Sequence, residues 1–205
     1  MAHQPPPTLL TPQFETALTL AYRLHAQQRR KDQTPYIAHL LSVTALVLEN
    51  QGTEAEAIAA LLHDAIEDQG GAPTRDRIQA EFGDEITAII DGCTESDAHP
   101  KPPWPERRQT YLQQIKAASP SVRLVALADK LHNARSLLQQ LQQQALQRDL
   151  QQQGQSIWTQ FSGGQDGTLW FYQAFLDLYA EPAPPSFQPM LQELHQIVHQ
   201  LKTLA

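Results

Sequence analysis

The sequence has a single cysteine, Cys93, which excludes an internal disulfide and is typical of a protein from a reducing compartment. It has no apolar stretch that approaches the roughly 20 residues of a membrane-spanning helix. Residues 1–7 lack the basic and apolar segments of a secretory signal. Together these absences predict a cytoplasmic protein with no membrane partner.

Basic residues are also scarce. Lys and Arg number 15 against 22 Asp and Glu, the formal net charge is −7, and the longest basic run is Arg29-Arg30-Lys31. Duplex nucleic acid requires an extended basic surface that neutralises phosphates. A nucleic-acid partner is therefore not expected, whereas a small anionic nucleotide can bind wherever a metal ion and a few local cations supply positive charge.

The chain offers few signals for β-strands, because it has only nine glycines and almost no β-branched alternation, and helical periodicity dominates. We therefore predict an all-α fold, a single helical bundle over residues 1–205. A loop with four prolines is expected over 97–105, and a flexible turn over 162–167. The predicted helices are 12–24, 36–49, 53–68, 74–82, 84–93, 106–118, 121–153, 169–179 and 190–204.

The sequence does contain a set of potential metal ligands. His63 and Asp64 are adjacent at the end of an apolar helical run, so that one imidazole and one carboxylate can reach the same cation. His39 lies in a second apolar helix, and Asp129 follows an apolar segment, 124–128. Two histidines and two aspartates suit a borderline-to-hard divalent ion such as Mn²⁺. This set predicts a metal-dependent hydrolase.

Each of these residues also has a simple structural explanation when it is taken alone. A lone histidine such as His39 is more often hydrogen-bonded in a core than bound to a metal, and Asp129 can form an ordinary pair on a helix surface. Glu67 and Asp68 can be a solvated carboxylate pair, although negative charge at a helix C-terminus opposes the helix dipole. The combination, rather than any single residue, favours a site.

Longer strings of residues resemble a known family. The strings are Arg30-Lys31 with Pro35-Tyr36-Ile37 and His39, His63-Asp64 with Glu67-Asp68, Glu81-Phe82-Gly83 with Glu85, Asp91-Gly92 with Thr94, and Leu127 to Asn133. In this order they resemble the HD superfamily of metal-dependent phosphohydrolases. Within it, they are most similar to the small alarmone hydrolases and to the hydrolase domain of RelA/SpoT-type alarmone synthetase–hydrolases. The similar core covers about 25–136, and a helical extension over 137–205 leaves no room for a synthetase domain.

The resemblance implies an all-helical enzyme that uses Mn²⁺, or another divalent transition metal, to release pyrophosphate from the 3′ oxygen of guanosine or adenosine alarmones. The implied metal ligands are His39, His63, Asp64 and Asp129; the implied catalytic carboxylates are Glu67 and Asp68; and the implied nucleotide contacts are Arg30, Lys31, Asn133 and Ser136.

The sequence departs from the family pattern mainly in the nucleotide loop. Gln27 and the segment 32–34 stand where the family often has glycine, and Gln69 stands where threonine is usual. These departures leave the base preference open. Two other functions also remain open: an HD phosphohydrolase acting on another nucleotide phosphoester, such as NADPH or a nucleoside monophosphate, and a module that binds alarmones without turnover. The oligomeric state is open as well.

Overall fold

The computed structural model describes residues 8–96, 98, 100–149, 156–180 and 183–204. In this part of the chain the regular elements are helical, apart from an isolated bridge between Arg29 and Pro35. The all-α fold predicted from the sequence is confirmed. None of the helices in these ranges combines the length and apolar character that crossing a bilayer requires.

The helices follow one another along the chain with short connections, and two 3₁₀ turns, Ile157–Gln160 and Pro185–Phe187, precede the last two of them. The α-helices are α1 (Pro12–His25), α2 (Tyr36–Glu49), α3 (Glu54–Leu62), α4 (Ala65–Asp68), α5 (Ala72–Phe82), α6 (Asp84–Cys93), α7 (Trp104–Ala117), α8 (Pro120–Asp149), α9 (Gly164–Asp177) and α10 (Gln188–Leu204).

Local capping signals define two of the helix starts. At α1, the Thr11 hydroxyl accepts a hydrogen bond of 3.2 Å from the backbone N–H of Gln13, and Pro12 is the first helical residue. At α3, the Glu56 carboxylate accepts a bond of 2.7 Å from the Thr53 N–H, and the Thr53 hydroxyl accepts one of 3.2 Å from the Glu56 N–H. This is the capping box expected from the sequence.

The predicted helix over 53–68 is wrong in one respect, because it is broken at His63 and Asp64. α3 ends one residue earlier, and α4 is a separate single turn, Ala65–Asp68. Asp64 has φ −97° and ψ −1°, and its carbonyl oxygen accepts the first hydrogen bond of α4, at 2.9 Å. Adjacent side chains diverge by about 100° on a continuous helix. The break removes that constraint and allows both side chains to approach one point.

α3 lies at the centre of the bundle. All residues over 57–62 are fully buried. A helix that is apolar on every side is typical of such a position. It packs against α1, α2, α6 and α8. Because His63 follows directly at its end, the sequence places this imidazole inside the protein, where it is 3% exposed.

The C-terminal helices pack around α8, which contacts α2 and α10, while α9 contacts α7 and α10. The helix predicted over 121–153 corresponds to α8, which extends to Asp149. The last predicted residues, 150–153, lie outside the described residues. The predicted flexible turn is partly wrong, because residues 164–167 form the first turn of α9. Gly163 and Gly167 permit this, since a Cβ atom on them would lie 2.5 Å and 3.0 Å from the indole ring of Trp104.

Candidate metal centre and substrate cavity

Three of the predicted ligands, contributed by distant parts of the chain, meet in the interior. His39 from α2, His63 from the end of α3 and Asp129 from α8 each offer one donor atom, and these atoms lie within 4.8 Å of one another. Oδ1 of Asp129 is 3.2 Å from Nε2 of His39 and 3.7 Å from Nε2 of His63. All three side chains are buried. This spacing surrounds a point that a single cation can fill.

Asp64 completes the predicted set of four. Its Oδ2 lies 3.0 Å from Nε2 of His63 and 3.6 Å from Nε2 of His39. The same oxygen accepts a hydrogen bond of 2.6 Å from the Tyr36 hydroxyl, which fixes the direction of the carboxylate. The structure therefore brings together all four residues that the sequence singles out as ligands.

The arrangement of the two imidazoles fits a metal ion. Nδ1 of His63 is 2.8 Å from the carbonyl oxygen of Ala60, an acceptor, so Nδ1 carries a proton and Nε2 is the nitrogen that can bind a cation once it is deprotonated. That Nε2 is buried and has no hydrogen-bond partner within the described structure, although Asp64 lies 3.0 Å from it. A buried nitrogen in this state is costly unless a cation or water meets it. Imidazole and carboxylate donors of this kind match the preferences of divalent ions such as Mn²⁺ and Zn²⁺.

A second histidine supports the first ligand. Nδ1 of His39 lies 2.8 Å from Nδ1 of His132, so one ring donates and the other accepts. Burial, followed by the charges of His39 and Arg30, lowers the pKa of His132 to about 4. This contact directs Nε2 of His39 toward the carboxylates. The sequence places His132 within the family-like string 127–133, and the structure shows what it contacts.

The charges at the site are strongly coupled. Burial alone would raise the pKa of Asp64, but the facing His63 and His39 hold it well below its ordinary value. Burial opposes ionisation of Asp129 as well, and Lys130, with Nζ 2.6 Å from Oδ2, is the main cause of a pKa well below the usual range. Both carboxylates are therefore ionised at neutral pH, which is the state that binds a cation.

The two predicted catalytic carboxylates lie on α4, directly after Asp64. Glu67 accepts a bond of 2.6 Å from Nζ of Lys101 through one oxygen, and one of 3.2 Å from the Glu95 N–H through the other. Asp68 accepts a bond of 2.8 Å from Nε2 of Gln28. Burial and the nearby Asp64 charge raise the pKa of Asp68. The two side chains thus differ: Glu67 is paired with the Lys101 ammonium group, whereas Asp68 binds a proton more readily than an ordinary aspartate does.

Of the four predicted nucleotide contacts, Asn133 connects directly to the candidate metal centre and Arg30 connects to it through Asn133. Nδ2 of Asn133 donates a bond of 2.6 Å to Oδ1 of Asp129, and Oδ1 of Asn133 accepts one of 2.9 Å from Nη2 of Arg30. The other two, Lys31 and Ser136, line a neighbouring cavity. Nζ of Lys31 donates to the Gln160 carbonyl oxygen at 2.6 Å.

That cavity has a volume of about 390 Å³, a size typical of small-molecule sites. It adjoins the metal centre through Tyr36, Lys130 and Asn133, which line it and also bond to the ligand carboxylates. The sequence analysis missed several of its lining residues, because their contacts form only when α7 and α9 meet and no motif marks them. The missed residues are Trp104, Arg107, Arg108, Phe161, Phe171 and Tyr172.

Comparison with protein families gives a match to the model described as "HD domain", over residues 17–169. Among similar proteins is the human guanosine-3′,5′-bis(diphosphate) 3′-pyrophosphohydrolase MESH1, 37% identical over 129 residues that cover 61% of this chain and 69% of that protein. Its counterpart from Xenopus tropicalis is 38% identical over 125 residues, which cover 59% of this chain and 67% of that protein. A probable enzyme of the same name from Synechocystis is 36% identical over 124 residues, 59% of this chain but only 16% of that protein.

Solved structures with the same arrangement of helices include that of a metazoan orthologue of SpoT described as hydrolysing ppGpp. It superposes with a TM-score of 0.71 at 25% identity, and the match covers 97% of this chain and 99% of that one. The structure of lmo0812 from Listeria monocytogenes gives a TM-score of 0.64 at 26% identity, covering 80% of this chain and 99% of that one. The likeness therefore includes the C-terminal helices as well as the residues that carry the motifs.

Proposed function

Because this chain belongs to the HD domain family, we propose that it is a 3′-pyrophosphohydrolase of the 3′,5′-bis(diphosphate) of guanosine or of adenosine. The single observation that carries the proposal is the convergence of His39, His63, Asp64 and Asp129 on one point, beside a cationic cavity. The names of its relatives from human and Xenopus tropicalis support the same activity.

The four converging side chains are proposed to hold one divalent ion, with Mn²⁺ as the working ion and other divalent transition metals as alternatives. A divalent ion supplies Lewis acidity, which lowers the pKa of water and neutralises charge that develops on a phosphoryl group. The buried and unpartnered Nε2 of His63 supports this role, because a cation would satisfy it. Tyr36 and His132 keep Asp64 and His39 in the required directions.

Asp68 is the proposed general base, and Glu67 is proposed to orient the attacking water. A carboxylate whose pKa is raised accepts a proton more readily than an ordinary one. The water oxygen bonds to the phosphorus attached to the 3′ oxygen, and the bond between that phosphorus and the 3′ oxygen breaks. The water proton passes to Asp68, and the released 3′ oxygen takes up a proton from solvent. The products are pyrophosphate and the nucleoside 5′-diphosphate with a free 3′ hydroxyl.

The nucleotide is proposed to occupy the cavity, in contact with Arg30, Lys31, Asn133 and Ser136. Arg30 reaches the metal centre through Asn133, so one guanidinium can contact both the base and the reacting end of the substrate. The extension over 137–205 is proposed to belong to the same domain, because α9 lines the cavity and α10 packs on α8. The single cysteine supports a cytoplasmic location.

The proposal is tested by assaying pyrophosphate release from guanosine and adenosine 3′,5′-bis(diphosphates), with NADPH and nucleoside monophosphates as comparison substrates. We expect rapid release from at least one bis(diphosphate) with Mn²⁺, and none after chelation. Release of phosphate from NADPH or a monophosphate alone would instead assign another phosphoester to the site. Tight binding of alarmone without release of any product would assign a binding module.

A further inference from the structure

The cavity beside the metal centre carries an excess of positive charge. The described residues that line it include six cationic side chains, from Arg29, Arg30, Lys31, Arg107, Arg108 and Lys130, but one carboxylate, Asp32. Like charges held together in a partly enclosed space repel one another and destabilise the fold. Such an arrangement is expected where an anionic ligand supplies part of the compensating charge.

Two of these cations are already committed to the metal centre. Lys130 is paired with Asp129 at 2.6 Å, and Arg30 donates to Asn133, which in turn bonds to Asp129. They therefore lie where the reacting 3′-diphosphate would be bound. Lys31 and Arg108 are not bonded to these ligand residues and are available to another anionic group.

Lys31 and Arg108 also line the cavity, and the polar contacts described for them are to Gln160 and Glu95 rather than to the ligand carboxylates. Nζ of Lys31 lies 4.2 Å from the centre of the Phe161 ring and donates a hydrogen bond to the neutral carbonyl of Gln160. Burial, followed by the charges of Arg108 and Arg30, lowers the pKa of Lys31. The three cations are thus close enough to repel one another.

Arg108 is held in a defined orientation by aromatic rings. Its guanidinium lies 4.4 Å from the centre of the Phe171 ring and 5.9 Å from that of Trp104, whose indole is in turn fixed against Gly163 and Gly167. A guanidinium stacked on an aromatic ring keeps the N–H groups of its edge available for a phosphate. This is a preorganised arrangement for binding a flat or bidentate anion.

The acidic partner of Arg108 is shared and therefore only partly neutralises it. Glu95 accepts a bond of 2.5 Å from Nη1 of Arg107, and its other oxygen lies 3.2 Å from Nη1 of Arg108. Nε of Arg108 is buried and has no hydrogen-bond partner within the described structure. One carboxylate thus serves two guanidinium groups, and Arg108 retains unused donors.

We propose that Arg108, together with Lys31, forms a second anion site that binds the 5′-diphosphate of the nucleotide, the group that is not hydrolysed. This inference rests on the proposed function for its choice of substrate, and it adds a specificity determinant on α7 that the sequence motifs do not include. It explains why the cationic surface extends beyond the metal centre, and why a nucleotide with phosphate groups on both sides of the ribose fits this cavity best.

The first experiment compares two substrates that differ only at the 5′ position: guanosine 3′,5′-bis(diphosphate) and guanosine 3′-diphosphate with a free 5′ hydroxyl. We expect Arg108→Met to raise KM for the first by about 10- to 100-fold, the range typical of a lost charged hydrogen bond, and to leave KM for the second and kcat for both unchanged. For guanosine 3′,5′-bis(diphosphate), the KM of Arg108→Lys should lie between those of the wild type and of Arg108→Met. Arg77→Met is the matched control, since Arg77 is exposed on α5 and, among the described residues, pairs with Glu81 at 3.7 Å.

The second experiment measures binding of guanosine 5′-diphosphate, which has no 3′-diphosphate and needs no turnover, by calorimetry. We expect Arg108→Met and Lys31→Met each to weaken binding at least tenfold, whereas Arg77→Met binds as the wild type does. Circular dichroism shows whether each variant is folded. Because Arg107 keeps Glu95 paired, Arg108→Met leaves no carboxylate without a cation.

The outcomes separate the two proposals. An equal rise in KM for both substrates, or an unchanged KM for both, overturns the second anion site while the hydrolase assignment stands. If the wild type cleaves neither substrate, the hydrolase assignment fails, and the diphosphate titration alone decides. Tenfold weaker binding in Arg108→Met then supports the anion site, and equal or undetectable binding in the wild type and the variant overturns it.

Discussion

Nδ1 of His39 and Nδ1 of His132 lie 2.8 Å apart, so that one imidazole outside the ligand set fixes the direction of another inside it. The contact explains why a histidine that does not reach the proposed metal position belongs to the same buried cluster. Outer-shell partners of this kind are typically worth 10- to 100-fold in metal affinity.

His132→Phe should therefore weaken Mn²⁺ binding by about 10- to 100-fold, because the ring fills the space but cannot hydrogen-bond to His39. His132→Asn, which keeps a hydrogen-bonding group, should retain more affinity. Titration of the metal-free protein with Mn²⁺ measures both effects. His195→Phe is the control, as His195 is exposed on α10. Equal affinity in His132→Phe and the wild type would mean that His39 needs no such support.

Asp64→Ala and His63→Ala should each abolish metal retention and hydrolysis together. Each change removes one of the four converging donors, and a buried site with three donors loses both affinity and geometry. Elemental analysis after gel filtration measures bound metal, and pyrophosphate release measures activity. His199→Ala, on the surface of α10, should retain both. A variant that keeps full activity while it binds no metal would exclude metal-assisted hydrolysis.

Glu67→Gln combined with Asp68→Asn should leave Mn²⁺ bound but lower kcat by about 10²- to 10⁴-fold, the usual contribution of a positioned acid or base. The amides keep the size of the side chains but cannot accept the proton of water. Metal analysis and steady-state assays on the same preparation separate the two effects. Glu85→Gln, at the start of α6, is the control. Full turnover in the double variant would remove both residues from the mechanism.

Metal uptake should release protons. Burial lowers the pKa of His63, but the Asp64 and Asp129 carboxylates outweigh it and raise the pKa well above its ordinary value. In the metal-free protein this imidazole is therefore protonated at neutral pH and must lose its proton before it binds a cation. We expect the apparent Mn²⁺ affinity to fall as the pH falls. Calorimetry in buffers of different ionisation enthalpy measures the released protons, and identical heats in all buffers would contradict the prediction.

Gly163→Ala should destabilise the protein by about 1–3 kcal/mol, the usual cost of overpacking. The added Cβ atom would lie 2.5 Å from Cζ2 of Trp104, so the indole must move. Combining the change with Trp104→Phe, which removes the ring that clashes, should recover part of the loss. Urea unfolding of the two single variants and the double variant measures the coupling. Additive losses would show that Trp104 does not cause the strain.

The convergence of the four candidate ligands could be anticipated from the sequence because they stand in recognisable surroundings. His63 and Asp64 end an apolar run, and Asp129 follows another, so their burial is implied before any fold is known. The break between α3 and α4 could not be predicted in this way. Residues 59–68 have good helix propensity throughout, and the interruption depends on contacts that form only in the folded protein.

The contribution of Arg107 and Arg108 to the cavity could not be predicted from the sequence either. Arg107 and Arg108 lie just after a proline-rich loop, in a pattern that is usual for an exposed helix face. Their role depends on Glu95 and on the aromatic side chains of α9, which are more than ten and more than sixty residues away along the chain, respectively. Lys101, the partner of Glu67, comes from the same loop and carries no motif of its own.

The division of the cavity between two groups of helices has a consequence for protein engineering. The four proposed metal ligands come from α2, the junction of α3 and α4, and α8, whereas Trp104, Arg108 and Phe171 belong to α7 and α9. Under the proposed function, changes at these three positions would alter which nucleotides are bound and would leave the four proposed ligands intact. A library restricted to α7 and α9 is therefore a practical route to hydrolases with new nucleotide selectivity.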